Sequence, residues 1–584
     1  MRLTSPRWAR KSLEQVLVER YIDKRRINVV NPSLCNDVIN LIRPTLPAPS
    51  VCDIIDINPG PCIWSQALHE ALKPRSHALI EPEGSDHRQT AEALANTAGS
   101  KYHLARDTNH ALDLATLSQG FRNHYGSLNE EQRKEARRQP TDQLIITANL
   151  SGKRVSNAFF HGAPCKLFLD QFYRSIAFDA GAYEFNRYGL VRLLAWVPEQ
   201  EKHGIVPRTT AWRYRPNKNQ EASCHVREIV SSHPYHGLNP MGRPWHDVAL
   251  ESRRIAAERQ RINNITMPTD RVQPLPQPPF RYYDPIPENF DAMQSFEGRP
   301  AVVDEFIDLW QSVESEHEDW LLPYIEATRQ GKRPRLPKEE LLRTFARMNG
   351  RMRTAHNSYR DIQEMISGQI ALEQELISLR RQHPDDKAPY LMRLEELKPE
   401  FEKFKSIQAK SYKDNRHAIL KGIDDFRALY HDPPILSWHA RPHEPLLCHP
   451  KKDFQPTREP LSLLEFVPKT SFVNAIDTSD KQITFDYITV CFDYARVTSL
   501  KKALEDLVGE GELYEAFLEG LPSLTDPLYG GWHDLSDIRT RALSVEAMVE
   551  IAVAYEAWPY RIEIERMLER IRGFGRGAHM SPFN

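Results

Sequence analysis

The sequence lacks the features of disulfide-rich, zinc-binding and membrane-spanning proteins. Among its 584 residues we find no apolar run of about 18, the length that a transmembrane helix needs. Its seven cysteines are odd in number and never stand in CxxC spacing, so they indicate neither a disulfide framework nor a zinc site. We therefore expect no metal and no membrane partner, and the cysteines fit a reducing compartment.

An excess of charge of one sign is also lacking, since the formal net charge is −2 at pH 7. Any affinity for nucleic acid must therefore come from local basic patches. What the chain does have is the composition of a soluble globular protein, with 40% hydrophobic and 27% charged residues. Its length allows roughly two to four domains.

The stretch VCDIIDINPGPCIWS, residues 51–65, predicts the first unit of a doubly wound α/β domain. An apolar strand leads into a tight turn at 58–61 and then into a helix over 63–72. Such a turn is where these domains hold a nucleotide-like ligand. The apolar pattern predicts further strands at 77–81, 102–104, 143–148 and 190–196, and an antiparallel hairpin near 211–215 and 224–229. Strands that alternate with helices favour one mostly parallel sheet.

Polar residues follow three of the predicted strands. Glu81 comes about 20 residues after the turn, the distance at which a carboxylate can accept hydrogen bonds from a ribose. Asp107 follows the third strand and Asn149 follows the fourth. Each residue also has an ordinary structural interpretation, because Glu81 and Asp107 can cap helices and Asn149 can hold its loop.

A set of short motifs carries a resemblance to a known family. The motifs are VVNP (29–32), DINPGPCIWS (56–65), LIE (79–81), RD (106–107), TANLSG (147–152), LVRLLAWVP (190–198), LSLLEF (461–466), residues 487–505 and WPY (558–560). In this order they resemble the rRNA adenine dimethyltransferase superfamily, and most closely the fungal branch of the mitochondrial transcription factor B family. The resemblance covers about 27–230 and 460–570, and the segment at about 300–450 has no counterpart.

The resemblance implies a Rossmann-like class I S-adenosylmethionine methyltransferase fold with a seven-stranded, mostly parallel sheet, a helical insert and a small helical C-terminal domain. By the same resemblance, Glu81 would accept hydrogen bonds from the ribose of the cofactor, Asp107 from its adenine amine, and Asn149 from the amine of the target adenine. The cofactor-binding set that it implies is Val29, Asn58, Gly60, Glu81, Asp107 and Asn149, with Asn149 as the catalytic residue.

Two departures from the family predict that methyl transfer is very weak or absent. The first turn of the family carries several glycines, but here Asn58 and Cys62 occupy two of those positions and only Gly60 remains. At the catalytic turn the family has a proline–aromatic pair, whereas this chain has Ser151 and Gly152. Without the aromatic ring a flipped adenine has no stacking platform. We expect binding of S-adenosylmethionine to be weak or vestigial.

Composition and periodicity divide the chain into six segments. They are a basic N-terminal segment (1–26), the methyltransferase-like Rossmann domain (27–232), a Pro-rich linker (233–300), a helical insert with a basic cluster (301–432), a second Pro-rich linker (433–460), and a helical C-terminal domain with a basic tail (461–584). The first segment is compatible with a mitochondrial presequence and equally with a basic helix lying on the domain, because Glu14 and Glu19 are unusual in a presequence.

Basic residues and one aromatic residue are the candidates for nucleic-acid contact. They are Lys153, Arg154, Arg192, Arg208, Arg213, Tyr214, Arg215, Arg343, Arg347, Arg572 and Arg576. The cluster in the insert has two interpretations, because a run of charge is usually a solvated helix face and a nucleic-acid contact is the more specific alternative.

The resemblance implies a mitochondrial transcription initiation factor of the matrix. It would be a monomer that assists the single-subunit mitochondrial RNA polymerase in recognising and melting promoter DNA. One alternative is an active mitochondrial rRNA adenine N6-dimethyltransferase, and both departures speak against it. A structural or assembly protein of the mitochondrial ribosome, which would bind rRNA, is another alternative that nothing in the sequence excludes.

Overall fold

The computed structural model describes most of the chain as a mixed α/β protein. The described residues are 26–82, 85–104, 129–136, 138–151, 155–156, 161–162, 164–177, 186, 189–232, 243–275, 280, 282–296, 299–332, 334–410, 413–457 and 459–575. No helix within these ranges is long and apolar enough to span a membrane.

Strands occur in both the first and the last third of the chain. They are β1 (Asn28–Val29), β2 (Asp53–Ile57), β3 (His77–Ile80), β4 (Tyr102–Leu104), β5 (Pro140–Asn149), β6 (Val155–Ser156), β7 (His161–Gly162), β8 (Leu190–Pro198), β9 (Cys224–Ser231), β10 (Leu446–Leu447), β11 (Phe454–Gln455) and β12 (Leu461–Pro468).

Eight of these strands form one mixed, mostly parallel sheet in the order β10-β9-β12-β8-β5-β2-β3-β4. The neighbours from β8 to β4 are all parallel, and β10 is parallel to β9. Only β12 runs antiparallel, to both β8 and β9. The strand order reverses direction at β2, so the edge beyond the carboxyl ends of β2 and β5 is the switch point at which doubly wound sheets bind ligands.

Helices connect the strands and make up the remainder of the fold. They are α1 (Pro32–Ile42), α2 (Ile63–Leu72), α3 (Arg88–Asn96), α4 (Glu130–Ala136), α5 (Pro164–Ala177), α6 (Glu199–Lys202), α7 (Arg215–Ser223), α8 (Arg243–Ile262), α9 (Phe290–Gln294), α10 (Ala301–Arg329), α11 (Glu340–Gln382), α12 (Ala388–Lys410), α13 (Lys413–Tyr430), α14 (Pro450–Asp453), α15 (Thr470–Ala475), α16 (Ser479–Tyr494), α17 (Leu500–Val508), α18 (Glu512–Glu519), α19 (Val545–Glu556) and α20 (Ile564–Gly575).

One hydrophobic core lies where α1 and α2 cover the sheet. Trp64 and Leu68 of α2, which are one helical turn apart, are both buried in it. The ring of Trp64 packs edge-on against Trp196 of β8 with centroids 5.7 Å apart, and its Nε1 donates to Thr147 Oγ1 at 2.9 Å. Ile27 and Val29 belong to the same core, so the segment that contains β1 is part of the folded structure.

The described residues form two compact units. One contains the sheet and consists of the described residues of 1–237, 252–274 and 428–584, and the other consists of those of 238–251 and 275–427. In the second unit α10 packs on α11 through a buried aromatic cluster. The ring centroid of Phe345 in α11 lies 5.9 Å from that of Phe306 and 5.6 Å from that of Trp310. This cluster anchors one face of α11.

The expected antiparallel hairpin after β8 is wrong. A 3₁₀ turn (Thr210–Trp212) and α7 occupy its first half. Pro216 in the first turn favours a helix start, and the side chain of Asn217 accepts from the backbone N–H of Tyr214 at 2.9 Å. The antiparallel partner of β9 is β12, a segment that the sequence assigned to the helical C-terminal domain. With β10 added at the edge, the sheet has eight strands and not the expected seven.

Both proline-rich stretches carry regular structure where the sequence predicted linkers. The first contains α8 and α9, and the second contains β10, α14 and β11. In the second stretch the buried ring of Trp438 lies between two guanidinium groups, at 3.7 Å from that of Arg208 and 3.6 Å from that of Arg441. Such packing fixes the backbone, so the prolines there mark turns within a packed region.

Candidate functional site

The candidate site lies at the switch point of the sheet, where β2, β3 and β5 end. The turn after β2 contributes Asn58 and Gly60, β3 is followed by Glu81, and β5 ends at Asn149. These four residues form two contacting pairs at this edge of the sheet. The backbone N–H of Gly60 donates to Glu81 Oε2 at 3.0 Å, and Asn58 Nδ2 donates to the carbonyl of Asn149 at 3.2 Å.

The turn after β2 uses the left-handed backbone region three times, with φ of +58° at Asn58 and +61° at both Gly60 and Cys62. Asparagine tolerates this backbone region. At Gly60 the positive φ already disfavours a side chain, and a steric clash excludes one as well. A Cβ built at Gly60 would lie 2.4 Å from Oδ1 of Asn28. The close neighbour of this glycine is therefore the N-terminal segment of the chain itself.

The carboxylate of Glu81 already has a partner for each oxygen. Arg26 Nη2 contacts Oε1 at 2.5 Å, while Oε2 accepts from the N–H of Gly60. Both side chains of the ion pair are buried, with 4% of Arg26 and none of Glu81 exposed. Because the carboxylate is fully buried with Arg26, a ribose could reach Oε1 only by displacing Arg26.

Asn149 is occupied in the same way. Its Nδ2 donates to the carbonyl of Ile27 at 2.8 Å, and its Oδ1 accepts from the N–H of Ser151 at 3.1 Å. Ser151 also binds the segment directly, because its Oγ accepts from the N–H of Ile27 at 3.1 Å. The amide that resembles a catalytic group thus holds the chain's own backbone.

Three contacts hold this N-terminal segment, residues 26–31, in the cleft. Val29 pairs with Phe454 in the two-stranded sheet of β1 and β11. The N–H of Val30 donates to the carbonyl of Asp453 at 2.9 Å, and Asn31 Nδ2 donates to Asp453 Oδ1 at 2.6 Å. Asp453 is itself buried and paired with Arg271 at 2.5 Å. Of the cofactor set, Val29 therefore lies inside the strand that closes the cleft.

Two titratable groups beside the cleft are held neutral. Burial, followed by the charges of Asp56 and Glu81, raises the pKa of the Cys62 thiol to about 12, so Cys62 is not a thiolate nucleophile at neutral pH. Burial and then the charge of Arg26 lower the pKa of His87, whose Nε2 lies 3.2 Å from Asn28 Nδ2. A neutral imidazole nitrogen can accept from that amide. Neither group is poised for acid–base work.

Three of the basic residues proposed for a nucleic-acid groove form ion pairs, buried at Arg208 and Arg213 and partly buried at Arg192, which corrects their assignment. Arg208 pairs with Glu228 at 2.7 Å, and Arg213 pairs with Glu221 at 2.7 Å. Arg192 pairs with Glu465 and donates to Thr45 Oγ1 at 2.8 Å. Burial lowers the pKa of Arg192, against the effect of Glu465. Since each guanidinium is enclosed with a carboxylate, none of the three faces a phosphate at the surface.

The other described candidates lie at or near the surface. Tyr214 is 42% exposed, with the guanidinium of Arg496 4.4 Å from its ring centroid, and Arg215 lies 3.6 Å from Asp486. Arg343 and Arg347 of α11 and Arg572 of α20 are exposed. The remaining candidates, which are Asp107, Lys153, Arg154 and Arg576, lie outside the described residues.

The sequence did not single out the residues that close the cleft. Sequence patterns place Arg26 in the basic N-terminal segment and Ile27 at the start of the methyltransferase-like domain, and they identify Ser151 only as a departure from the resembling family. One pattern in the sequence could have indicated this segment. Ile27 and Val29 form an apolar alternation just before the helix start at Asn31-Pro32. That pattern predicts a short buried strand but not its partner.

The described residues contain no group of three or more His, Cys, Asp or Glu side chains that could hold a metal ion. All seven cysteines are buried and free. No protein-family model matches the chain, and no curated protein matches it.

Proposed function

We propose that this protein is a mitochondrial transcription initiation factor built on a methyltransferase fold whose cofactor cleft is closed by its own residues. The observation that supports this most strongly is the double contact of the N-terminal segment, Arg26 with Glu81 and Ile27 with Asn149. These are the two positions at which a methyltransferase of the resembling family would bind the cofactor ribose and the target amine.

The strand order supports the choice of fold. Numbered along the chain from β2, with the two-residue edge strand β10 left out, the strands of the sheet run 3-2-1-4-5-7-6, and the seventh, β12, is the antiparallel one. The first five strands follow the 3-2-1-4-5 order of doubly wound sheets, and the antiparallel β12 departs from the dinucleotide-binding plan, in which the sixth strand follows the fifth. The segment between β9 and β12 carries the large helical insert.

The free-energy cost of separating Arg26 from Glu81 should make binding of S-adenosylmethionine in the cleft weak. If a ribose took Glu81, the buried guanidinium of Arg26 would lose its partner, at a cost of about 3–5 kcal/mol. Since each 1.4 kcal/mol is a factor of ten, this lowers affinity by roughly two to three and a half orders of magnitude. Asn149 would also have to release Ile27 before it could orient a target amine.

Because methyl transfer is disfavoured, the remaining role that the resemblance implies is that of an initiation factor. The protein would assist the single-subunit mitochondrial RNA polymerase at promoters in the matrix. In that role the protein would stabilise melted DNA near the start site. Tyr214 is exposed and has the guanidinium of Arg496 4.4 Å from its ring centroid, so the two supply a ring and a cation of the kind that single strands bind.

Promoter-directed run-off transcription with purified mitochondrial RNA polymerase tests this proposal. On duplex promoter the protein should be required, on a template melted in advance around the start site it should be dispensable, and S-adenosylmethionine should change neither result. No stimulation on duplex template would refute the proposal. Transfer of labelled methyl groups to an rRNA hairpin, abolished by Asn149→Ala, would establish the methyltransferase alternative.

A further inference from the structure

We propose that helix α11 carries a binding site for the phosphate backbone of duplex DNA, formed by Arg343, Arg347 and Arg351. This site deepens the proposed function and rests on it for the identity of the nucleic acid. Nothing in the family resemblance covers this part of the chain. We call the site the α11 arginine row.

The three arginines project from one face of a fixed helix. Residues four apart lie about 6 Å apart along a helix axis and on the same side, so the row spans about 12 Å. All three side chains are exposed, whereas Leu342 and Phe345 on the opposite face are buried. Because Phe345 packs on Phe306 and Trp310 of α10, the helix presents the row from a rigid support.

The charge of the row is not neutralised by neighbouring side chains. Among the described residues no carboxylate pairs with any of the three, and the only hydrogen bond of the Arg343 side chain is from Nε to the carbonyl of Pro337 at 3.1 Å. Exposed Lys332, Arg335 and Lys338 precede the row, and the two acids in this stretch, Glu339 and Glu340, lie at the helix N-terminus. Farther along the helix the pattern changes, since Arg360 lies 3.5 Å from Asp361 and 3.7 Å from Glu364. On a solvated helix face, basic residues normally have acidic neighbours, as Arg360 does.

Gly350 leaves open space on the face of α11 that carries the row. It lies in the interior of α11, where glycine destabilises a helix relative to alanine. Its packing does not require glycine, because a Cβ built there would meet no atom within 4 Å. Seven residues after Arg343, it sits on the same face as the row and leaves space for a phosphate backbone to come close.

The chemistry of the face favours a duplex over a single strand. Binding of single strands combines cations with stacking aromatic rings. Between Glu340 and Thr354 the only aromatic residue is Phe345, and it is fully buried. A rigid row of cations without stacking rings matches the regular phosphate rows of a duplex, which carries about one charge per 1.7 Å of axis.

The test is fluorescence anisotropy of the full-length protein with a labelled duplex DNA at several salt concentrations. The variant Arg343→Gln/Arg347→Gln/Arg351→Gln is compared with Arg261→Gln/Arg360→Gln/Arg393→Gln, which removes the same charge from exposed arginines that already pair with acids. Circular dichroism confirms that both variants are folded.

For the row variant, the slope of log affinity against log salt should become shallower by roughly 2 to 3, because each phosphate that an arginine neutralises contributes about 0.9 to that slope. Its affinity at about 50 mM salt should fall roughly tenfold or more, while the paired-arginine variant stays within about twofold of the wild type. Equal slopes and affinities in the two variants would overturn the proposal. An equal or greater loss on single-stranded DNA or duplex RNA would overturn the choice of duplex DNA.

Run-off transcription with the same proteins separates this proposal from the proposed function. If the wild type drives transcription and the row variant binds duplex DNA unchanged, the row is refuted and the initiation role stands. If the wild type fails to drive transcription but duplex binding disappears in the row variant, the initiation role is refuted and the binding site stands.

Discussion

Buried charged residues join neighbouring strands of the sheet, and Glu465 shows how. It lies in β12 with its carboxylate fully buried, paired with Arg192 of β8 and with Arg227 of β9 at 2.5 Å. These two strands flank β12 on either side. One carboxylate therefore connects three strands, and its loss would leave two guanidinium groups without their counter-charge.

The substitution Glu465→Gln should lower the free energy of unfolding by about 3 kcal/mol, because it leaves the largely enclosed guanidinium of Arg192 without its counter-charge. Urea unfolding followed by fluorescence measures the change. Glu258→Gln is the control, since Glu258 forms an exposed pair with Arg261 at 2.6 Å and its loss should change little. Equal, small effects of both substitutions would contradict the role assigned to Glu465.

A second residue-scale feature is the stack of His69, His77 and Tyr102 beside β3. The two histidines meet through Nδ1 atoms 3.2 Å apart, and the His69 ring stacks on Tyr102 with centroids 4.1 Å apart. Burial, followed by the nearby His77, lowers the pKa of His69 from 6.5 to about 4. Burial also lowers the pKa of His77, which lies 3.8 Å from Asp56.

Stability should therefore fall as pH drops from about 6.5 to about 4. In this window the unfolded chain binds protons that the folded state excludes, so acid favours unfolding. For half-buried His69 alone we expect about 1 kcal/mol between pH 7 and 5, after allowance for solvent screening. Urea midpoints at the two pH values should differ less in His69→Gln than in the wild type. The exposed control His417→Gln should keep the full difference, and an unchanged difference in His69→Gln would count against the account.

At the scale of elements, the short strand β1 has an effect larger than its two residues suggest. Its pairing with β11 fixes the backbone that reaches Glu81 and Asn149. The carboxylate of Asp453 holds this arrangement by accepting from Asn31 and by pairing with Arg271. The cleft is thus closed by an element that other segments of the chain keep in position.

Removal of that support should loosen the segment before it affects the sheet. In Asp453→Ala the amides of Ile27 and Val30 should exchange hydrogen roughly ten- to hundredfold faster, while those of β2 change less. Hydrogen exchange read by mass spectrometry or NMR measures this. Asp270→Ala, a change at an exposed carboxylate of the neighbouring turn, is the matched control. Identical exchange in the two variants would mean that Asp453 does not hold the segment.

At the scale of the whole molecule, local patterns predict the first part of the sheet well and its completion poorly. The run DIIDI with its turn and the acid at Glu81 could be placed from sequence because strand, turn and helix are neighbours along the chain. The partner of β9 could not, since three further segments of the chain lie between β9 and β12 and pairing over such distances leaves no local signal. The same holds for Arg26, whose pairing with Glu81 depends on the folded sheet.

The interpretation of the candidate site depends on this difference between local sequence patterns and contacts that form only in the folded sheet. From sequence, Glu81 and Asn149 are an open ligand set weakened by Asn58, Cys62 and Ser151. In the structure Glu81 binds the chain's own Arg26, and Asn149 binds the chain's own Ile27. Family motifs report which residues share an edge of the sheet and do not report what fills the space between them.

Isothermal titration of the purified protein with S-adenosylmethionine, with Glu81→Ala alongside, tests the closed cleft most directly. No measurable binding heat is expected for the wild type up to millimolar cofactor, because Arg26 and Ile27 occupy the groups that would hold it. Micromolar binding to the wild type that disappears in Glu81→Ala would show an open, working cleft and would contradict the account.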